Sequence, residues 1–78
     1  MDRNDVERMA RSIGEQRYLA RVTGDTLRRY ELDKKAAFFD GVEAACNMIL
    51  TELVAIPSDC SEEEIMQWAR YGDEESKK

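Results

Sequence analysis

The chain has 78 residues, a formal net charge of −5, two cysteines and no histidine. A chain of this length forms one small domain at most. Two cysteines without a histidine cannot supply the four ligands of a structural zinc site. Since so short a chain buries only roughly 60% of the surface of its unfolded state, a monomer would be marginally stable, and we expect a partner, in the first place a second copy, to complete the fold.

The hydropathy pattern argues against a membrane protein. The longest apolar-rich stretch, residues 42–56, is too short to span a bilayer and includes Glu43 and Glu52. The charged residues 1–5 are not followed by an apolar run, so we expect no secretory signal. The sequence therefore predicts a cytoplasmic protein with reduced thiols.

The first predicted helix covers residues 4–22. Asn4 and Glu7 have the spacing of a capping box. Apolar residues then recur at helical spacing, at Val6, Met9, Ala10 and Ile13. Gly24 suits a left-handed C-terminal cap, so we expect the helix to end before it.

The second predicted helix is long and covers residues 26–55, with Asp25 as its N-cap and Pro57 as its end. One apolar stripe consists of Phe38, Val42, Ala45, Ile49, Leu53 and Ile56. A second stripe beside it consists of Phe39, Cys46, Leu50 and Val54. Because the two stripes together cover nearly half of the circumference, we expect this helix to be covered from two sides.

The third predicted helix covers residues 61–71. Ser61 and Glu64 form a capping box, and Gly72 marks the expected end of the helix. Ile65 and Trp68 lie on one face, where they are the expected core anchors. The sequence thus predicts one helical domain over residues 1–72, followed by a charged, frayed tail over residues 73–78.

These elements predict an all-α fold of three helices, in which the second is long and central and the other two are short. Both connections are short, so each short helix is expected to fold back on the second helix. This arrangement is a helical hairpin-type unit with an unfilled apolar face, and self-association would cover that face. The predicted oligomer interface consists of Phe38, Phe39, Val42, Cys46, Ile49, Leu50 and Leu53.

The sequence offers no convergent set of catalytic residues, so we expect neither an enzyme nor a bound cofactor or metal. A catalytic cysteine needs a base such as histidine, and the chain has none. Cys46 is expected to be a small buried apolar residue, and Cys60 a loop thiol. The run Glu62, Glu63 and Glu64 is explained by helix capping, because consecutive helical positions point in different directions.

The charge is unevenly distributed along the chain. Residues 1–36 have nine basic and seven acidic side chains, whereas residues 37–78 have three basic and ten acidic side chains. Three explanations are open: solvated helix faces, basic and acidic surfaces that pair between copies, or a basic patch for an anionic ligand or DNA. The candidate contacts for such a ligand are Arg17, Arg21, Arg28, Arg29 and Tyr30.

Residues 19–24 read Leu-Ala-Arg-Val-Thr-Gly and residues 26–31 read Thr-Leu-Arg-Arg-Tyr-Glu. These stretches resemble the helix-turn-helix core of MerR-type transcription regulators, in which a Leu-Ala-x-x-Thr-Gly stretch ends one helix and a Thr-Leu-Arg-x-Tyr-Glu stretch opens the next. The resemblance implies contacts of Arg28 and Tyr30 with the DNA backbone. The acidity of the whole chain disfavours nucleic acid as a partner.

The function that the sequence favours is a non-catalytic protein–protein interaction module, a small acidic helical adaptor or inhibitor that acts as a homo-oligomer. Its macromolecular protein partner is unknown. Small accessory proteins of phages and mobile elements have this size and composition, which is an analogy. Two alternatives stay open, a DNA-binding regulator with a truncated helix-turn-helix and a binder of a small anionic ligand, such as a nucleotide, at an arginine-lined oligomer seam.

Overall fold

The computed structural model describes residues 2–56 and 59–77 and consists of three α-helices. These are α1 (Arg3–Arg29), α2 (Asp33–Ala55) and α3 (Glu62–Ser76), and the described ranges contain no strand. The predicted all-α, hairpin-type fold is confirmed, since α1 and α2 pack closely against each other. Pro57, the predicted end of the second helix, lies outside the described residues.

The first helix is longer than the sequence predicts. α1 continues through Gly24 and Asp25 to Arg29, so the predicted break at Gly24 and the predicted N-cap at Asp25 are wrong. Gly24 is buried against α2, so packing compensates for its weak helix propensity. The N-cap is Asp2, whose side chain accepts a hydrogen bond from the Asp5 amide, and not Asn4.

The turn between α1 and α2 is a Schellman motif with a glutamate in the place of the usual glycine. The Leu32 amide donates to the Leu27 carbonyl at 3.0 Å, and the Glu31 amide donates to the Arg28 carbonyl at 3.0 Å. These two bonds satisfy carbonyls at the end of α1. Glu31 has a φ of 60°, a left-handed conformation that a side chain with a Cβ adopts at a cost.

The central helix is α1, so the prediction that the second helix occupies the centre is wrong. α1 packs along both α2 and α3, whereas α2 and α3 share a much smaller contact. The molecule measures 44 × 25 × 16 Å. A helix with its side chains is about 10–12 Å across, so the molecule is less than two helices thick in its thinnest direction. Both flanking helices have exposed positions along their length.

The core lies where the first half of α1 meets the end of α2 and the start of α3. Its side chains come from all three helices: Val6, Ala10, Leu50, Leu53, Ile65, Trp68 and Ala69. The buried positions of α1 are four residues apart, except for a step of six from Gly14 to Ala20 in which Arg17 is half-buried, as expected for one face of a helix. Most of them are alanine or glycine, which lets the flanking helices approach α1 closely.

Two glycines set the distance between α1 and α3. A Cβ built on Gly14 would overlap the backbone carbonyl of Ala69, and a Cβ built on Gly72 would overlap the backbone carbonyl of Arg11. Each helix therefore presents a glycine to the backbone of the other. The contact is reciprocal, so a side chain on either glycine would force the two helices apart.

The third helix begins as predicted and ends later. Both hydrogen bonds of the capping box between Ser61 and Glu64 are present, which confirms this prediction. α3 does not end at Gly72 but continues to Ser76, so residues 73–76 are helical and the predicted frayed tail over these positions is wrong. Gly72 stays helical because it is buried against the backbone of α1.

We expect Gly14→Ala and Gly72→Ala each to destabilise the protein by about 3 kcal/mol, the upper end of the range for overpacking, because the added methyl group would overlap a backbone carbonyl. The matched control is Gly24→Ala, since a Cβ there would lie 3.5 Å or more from its neighbours. That control is expected to stabilise the helix by up to about 1 kcal/mol. Urea denaturation followed by circular dichroism measures all three, and equal effects at Gly14 and Gly24 would contradict the close contact.

We expect Glu31→Gly to stabilise the protein by about 1 kcal/mol, because glycine adopts the left-handed conformation of this turn without the cost that a Cβ imposes. Glu31→Ala keeps a Cβ and serves as the control, with a much smaller effect. The measurement is the midpoint of thermal unfolding of the three proteins. A melting midpoint for Glu31→Gly at or below that of Glu31→Ala would argue against the strained turn.

Candidate functional site

The predicted oligomer interface is divided between the core and the surface. Cys46, Leu50 and Leu53 are buried within the chain, at 7%, 1% and 2% exposure. These three residues cannot contact a second copy while the chain keeps this fold, so their assignment to an interface is corrected. They face inward because α2 packs along α1.

The remaining predicted interface residues are accessible to different degrees. Phe39 and Val42 are half-buried, whereas Phe38 and Ile49 are exposed. The exposed fraction is 67% for Phe38 and 47% for Ile49. The part of the prediction that concerns Phe38 and Ile49 therefore identifies side chains that a partner can reach.

The surface that contains them runs along the solvent side of α2. We call it the outer face of α2, and it consists of Phe38, Gly41, Ala45, Met48, Ile49 and Glu52, all of them exposed. Glu52 is the one charged member of this set. Sequence reasoning missed Met48, which is 67% exposed, because it lies outside both predicted stripes.

The ring of Phe38 is held in place by its neighbour. Phe38 and Phe39 meet edge to face, with ring centroids 5.2 Å apart and an angle of 89° between the ring planes. Phe39 is half-buried and lies close to Gly24 of α1. The Phe38 ring is therefore exposed to solvent but has a contact with Phe39 that restricts its rotamers.

Most arginines of the predicted basic patch have side-chain partners within the chain. Arg17 donates to the side-chain oxygen of Asn47 at 3.0 Å, Arg21 pairs with Glu43 at 2.9 Å, and Arg28 pairs with Asp40. All three arginines lie on α1 and all three acceptors on α2. The uneven charge along the sequence therefore reflects pairing between helices of one chain, which none of the three earlier explanations included.

These pairs also shift the pKa values of two arginines. The hydrogen bond to Glu43 raises the pKa of Arg21, and the hydrogen bond to Asp40 raises the pKa of Arg28. Because arginine is charged throughout the ordinary pH range, the attraction in both pairs depends on the ionisation of Glu43 and Asp40. The contact between α1 and α2 then has opposite charges aligned along its edge.

The structure contradicts the helix-turn-helix that the resemblance implies. Residues 19–29 belong to one uninterrupted helix, so no turn separates the two expected helices. Arg28 is paired with Asp40, while Arg29 and Tyr30 are exposed near the end of α1, Tyr30 at 74%. The arrangement that would place Arg28 and Tyr30 on a DNA backbone is absent from the described residues.

The predicted core anchors lie in the core. Ile65 is fully buried and Trp68 is 8% exposed. The guanidinium of Arg3 lies over the ring of Trp68, 5.1 Å from its centroid, and also pairs with Glu64. These contacts join the beginning of α1 to the beginning of α3 and leave α2 out.

The buried cysteine is poorly suited to nucleophilic chemistry. Cys46 lies between α2 and α1, and desolvation by this burial raises the pKa of its thiol. A raised pKa lowers the fraction of thiolate, which is the reactive form. Among residues 2–56 and 59–77, no group of three or more histidine, cysteine, aspartate or glutamate side chains could hold a metal ion.

Comparisons with known proteins give no relative: no protein-family model, curated protein or solved structure matches the chain. In the part of the chain that the structure describes, no helix combines the length and the apolar character needed to cross a membrane.

We expect Arg28→Glu to lower the thermal midpoint more than Arg29→Glu does. The first change replaces an attraction to Asp40 by a repulsion, whereas Arg29 is exposed and makes no ion pair among the described residues. The difference is expected to shrink as sodium chloride is raised, because salt screens exposed charges. Thermal melts at low and high salt measure it, and identical midpoints at low salt would contradict a structural role for Arg28.

Proposed function

We propose that this protein is a non-catalytic protein–protein interaction module that acts as a homo-oligomer through the outer face of α2. In this role it serves as a small adaptor or inhibitor of a larger protein. The observation that carries the proposal is the exposure of large apolar side chains, Phe38, Met48 and Ile49, on one side of one helix.

The distribution of charge on α2 supports the proposal. Asp40 and Glu43 point towards α1, where they pair with Arg28 and Arg21. The opposite side of the helix is left with few charges over the length from Phe38 to Met48. A continuous uncharged strip with large apolar side chains at its two ends is typical of surfaces that another protein covers, whereas single exposed apolar residues are ordinary.

The shape of the surface also fits an interaction with a helix. Gly41 and Ala45 are small and lie between Phe38 and Met48. A Cβ on Gly41 would meet no atom within 4 Å, so the helix backbone is open to a partner at this point. Large side chains at either end of a small-residue gap form a shallow depression, into which the side chains of a partner helix can fit.

The alternative functions receive less support from the same geometry. A nucleotide site or a DNA contact would use Arg17, Arg21 and Arg28, and each of these has a hydrogen-bond partner on α2. Binding a phosphate at this place would compete with those contacts. The interaction with another protein requires no such rearrangement, because the outer face of α2 is already exposed.

We expect Ile49→Glu to abolish self-association and to leave the helical content unchanged. A charge placed in a covered apolar surface is costly, whereas the same charge on an exposed position of a monomer is tolerated. Sedimentation equilibrium at tens of micromolar protein measures the mass, and circular dichroism measures the helical content.

The matched control is Leu19→Glu, because Leu19 on α1 is 47% exposed, as is Ile49. This control adds the same charge to an equally accessible apolar position outside the outer face of α2, so we expect it to keep the wild-type mass. A monomeric wild-type protein at this concentration would contradict the proposal. If both variants dissociated to the same extent, the outer face of α2 would not be the specific interaction surface.

A further inference from the structure

The outer face of α2 contains a heptad spacing that continues beyond its apolar part. Positions separated alternately by four and three residues are Lys34, Phe38, Gly41, Ala45, Met48 and Glu52. All six are exposed. A repeat of 3.5 residues keeps side chains on one straight line along a pair of supercoiled helices, which is the spacing of a coiled-coil seam. We call these six positions the seam.

The seam is complementary to itself when two helices run in opposite directions. If a two-fold axis crosses the outer face of α2 at the level of position 43, residues equally distant from that position along the chain face each other. Phe38 then faces Met48 of the second copy, and Gly41 faces Ala45. Lys34 faces Glu52, so each end of the seam joins a positive to a negative charge.

A parallel arrangement lacks this complementarity. In register, each seam position would meet its own copy, so Lys34 would face Lys34 and Glu52 would face Glu52. Like charges that face each other across a helix pair oppose association. Among the described residues, neither Lys34 nor Glu52 makes an ion pair within its own chain. Both side chains are therefore available to a second copy.

The sizes of the seam residues agree with the same register. The smallest residues, Gly41 and Ala45, lie nearest to the axis, where two helix backbones approach most closely. The larger Phe38 and Met48 lie about one turn further from the axis on either side, where they fill the wider space between the two helices. The charged pair is outermost, in the position of a solvent-exposed rim.

We propose that a second copy of this chain packs on the seam. The two α2 helices are antiparallel, and the two-fold axis between them crosses the outer face of α2 at the level of position 43. This rests on the proposed function, because it assigns the partner and the geometry of the same surface. The two ion pairs between Lys34 and Glu52 set the direction of the pairing. The closed two-fold arrangement limits the assembly to a dimer.

Charge exchange tests the direction of the pairing. Lys34→Glu creates two repulsive pairs in a homodimer, and so does Glu52→Lys. We expect each variant to dimerise about ten-fold more weakly than the wild type at low salt, since two exposed pairs are reversed. An equimolar mixture of the two variants restores two attractive pairs, so wild-type affinity is expected to return. The doubly exchanged protein, Lys34→Glu with Glu52→Lys, is expected to dimerise as the wild type does.

These variants are favourable to the helix itself. Lys34→Glu places a negative charge near the N-terminus of α2, and Glu52→Lys places a positive charge near its C-terminus. Both changes complement the helix dipole. A weaker dimer in either variant therefore does not result from loss of α2. Arg8→Glu is the control for the change in net charge of Lys34→Glu, because Arg8 is exposed on α1.

Sedimentation equilibrium of each protein and of the mixture, at low salt, distinguishes the outcomes. Weakening in both single variants with recovery in the mixture supports the antiparallel dimer. A wild-type dimer that neither single variant weakens overturns the antiparallel register, while the proposed function stands on the comparison of Ile49→Glu with Leu19→Glu. A wild-type monomer overturns both proposals.

Discussion

The position of the turn at residues 30–32 decides how the rest of the chain can pack. Because α1 continues to Arg29, it is long enough to hold α2 along one side and α3 along another. The turn is closed by backbone hydrogen bonds from Glu31 and Leu32, and these bonds compensate for the left-handed conformation of Glu31. A turn at Gly24 would have placed Arg28, the partner of Asp40, outside α1.

The long α1 is also what gives the charges of the chain their partners. Its arginines reach carboxylates on both flanking helices, with Arg21 paired to Glu43 on α2 and Arg11 paired to Glu75 on α3. Exposed ion pairs of this kind contribute little free energy each. Their positions agree with the packing, since the acidic side of α2 lies beside α1 and the outer face of α2 lies in solvent.

The sequence predicts the helical class, the capping box of α3 and the apolar side chains of α2, because each depends on local spacing that the chain displays directly. It does not predict the order of packing. Glycine is common just after the end of a helix and glutamate is not. Nevertheless α1 continues through Gly24 and ends at Arg29, and Glu31 lies in the turn whose backbone hydrogen bonds close that end. Likewise Gly72 is retained within α3 by its contact with the backbone of Arg11, a tertiary contact that the local sequence does not display.

The same limit explains why the apolar residues of α2 could not be divided correctly from spacing alone. Leu50 and Ile49 are adjacent in the sequence and similar in character, yet one is 1% exposed and the other 47%. Which of them faces α1 depends on the rotation of α2. In this rotation Leu50 and Leu53 are buried, and the burial of apolar side chains stabilises a fold more than exposed ion pairs do. Once the rotation is fixed, the positions that remain outside recur every three or four residues from Lys34 to Glu52. A surface with that period and with opposite charges at its ends is complementary to its own inverted copy, so in the dimer that we propose the packing of α2 on α1 inside one chain also decides which residues the second copy can contact.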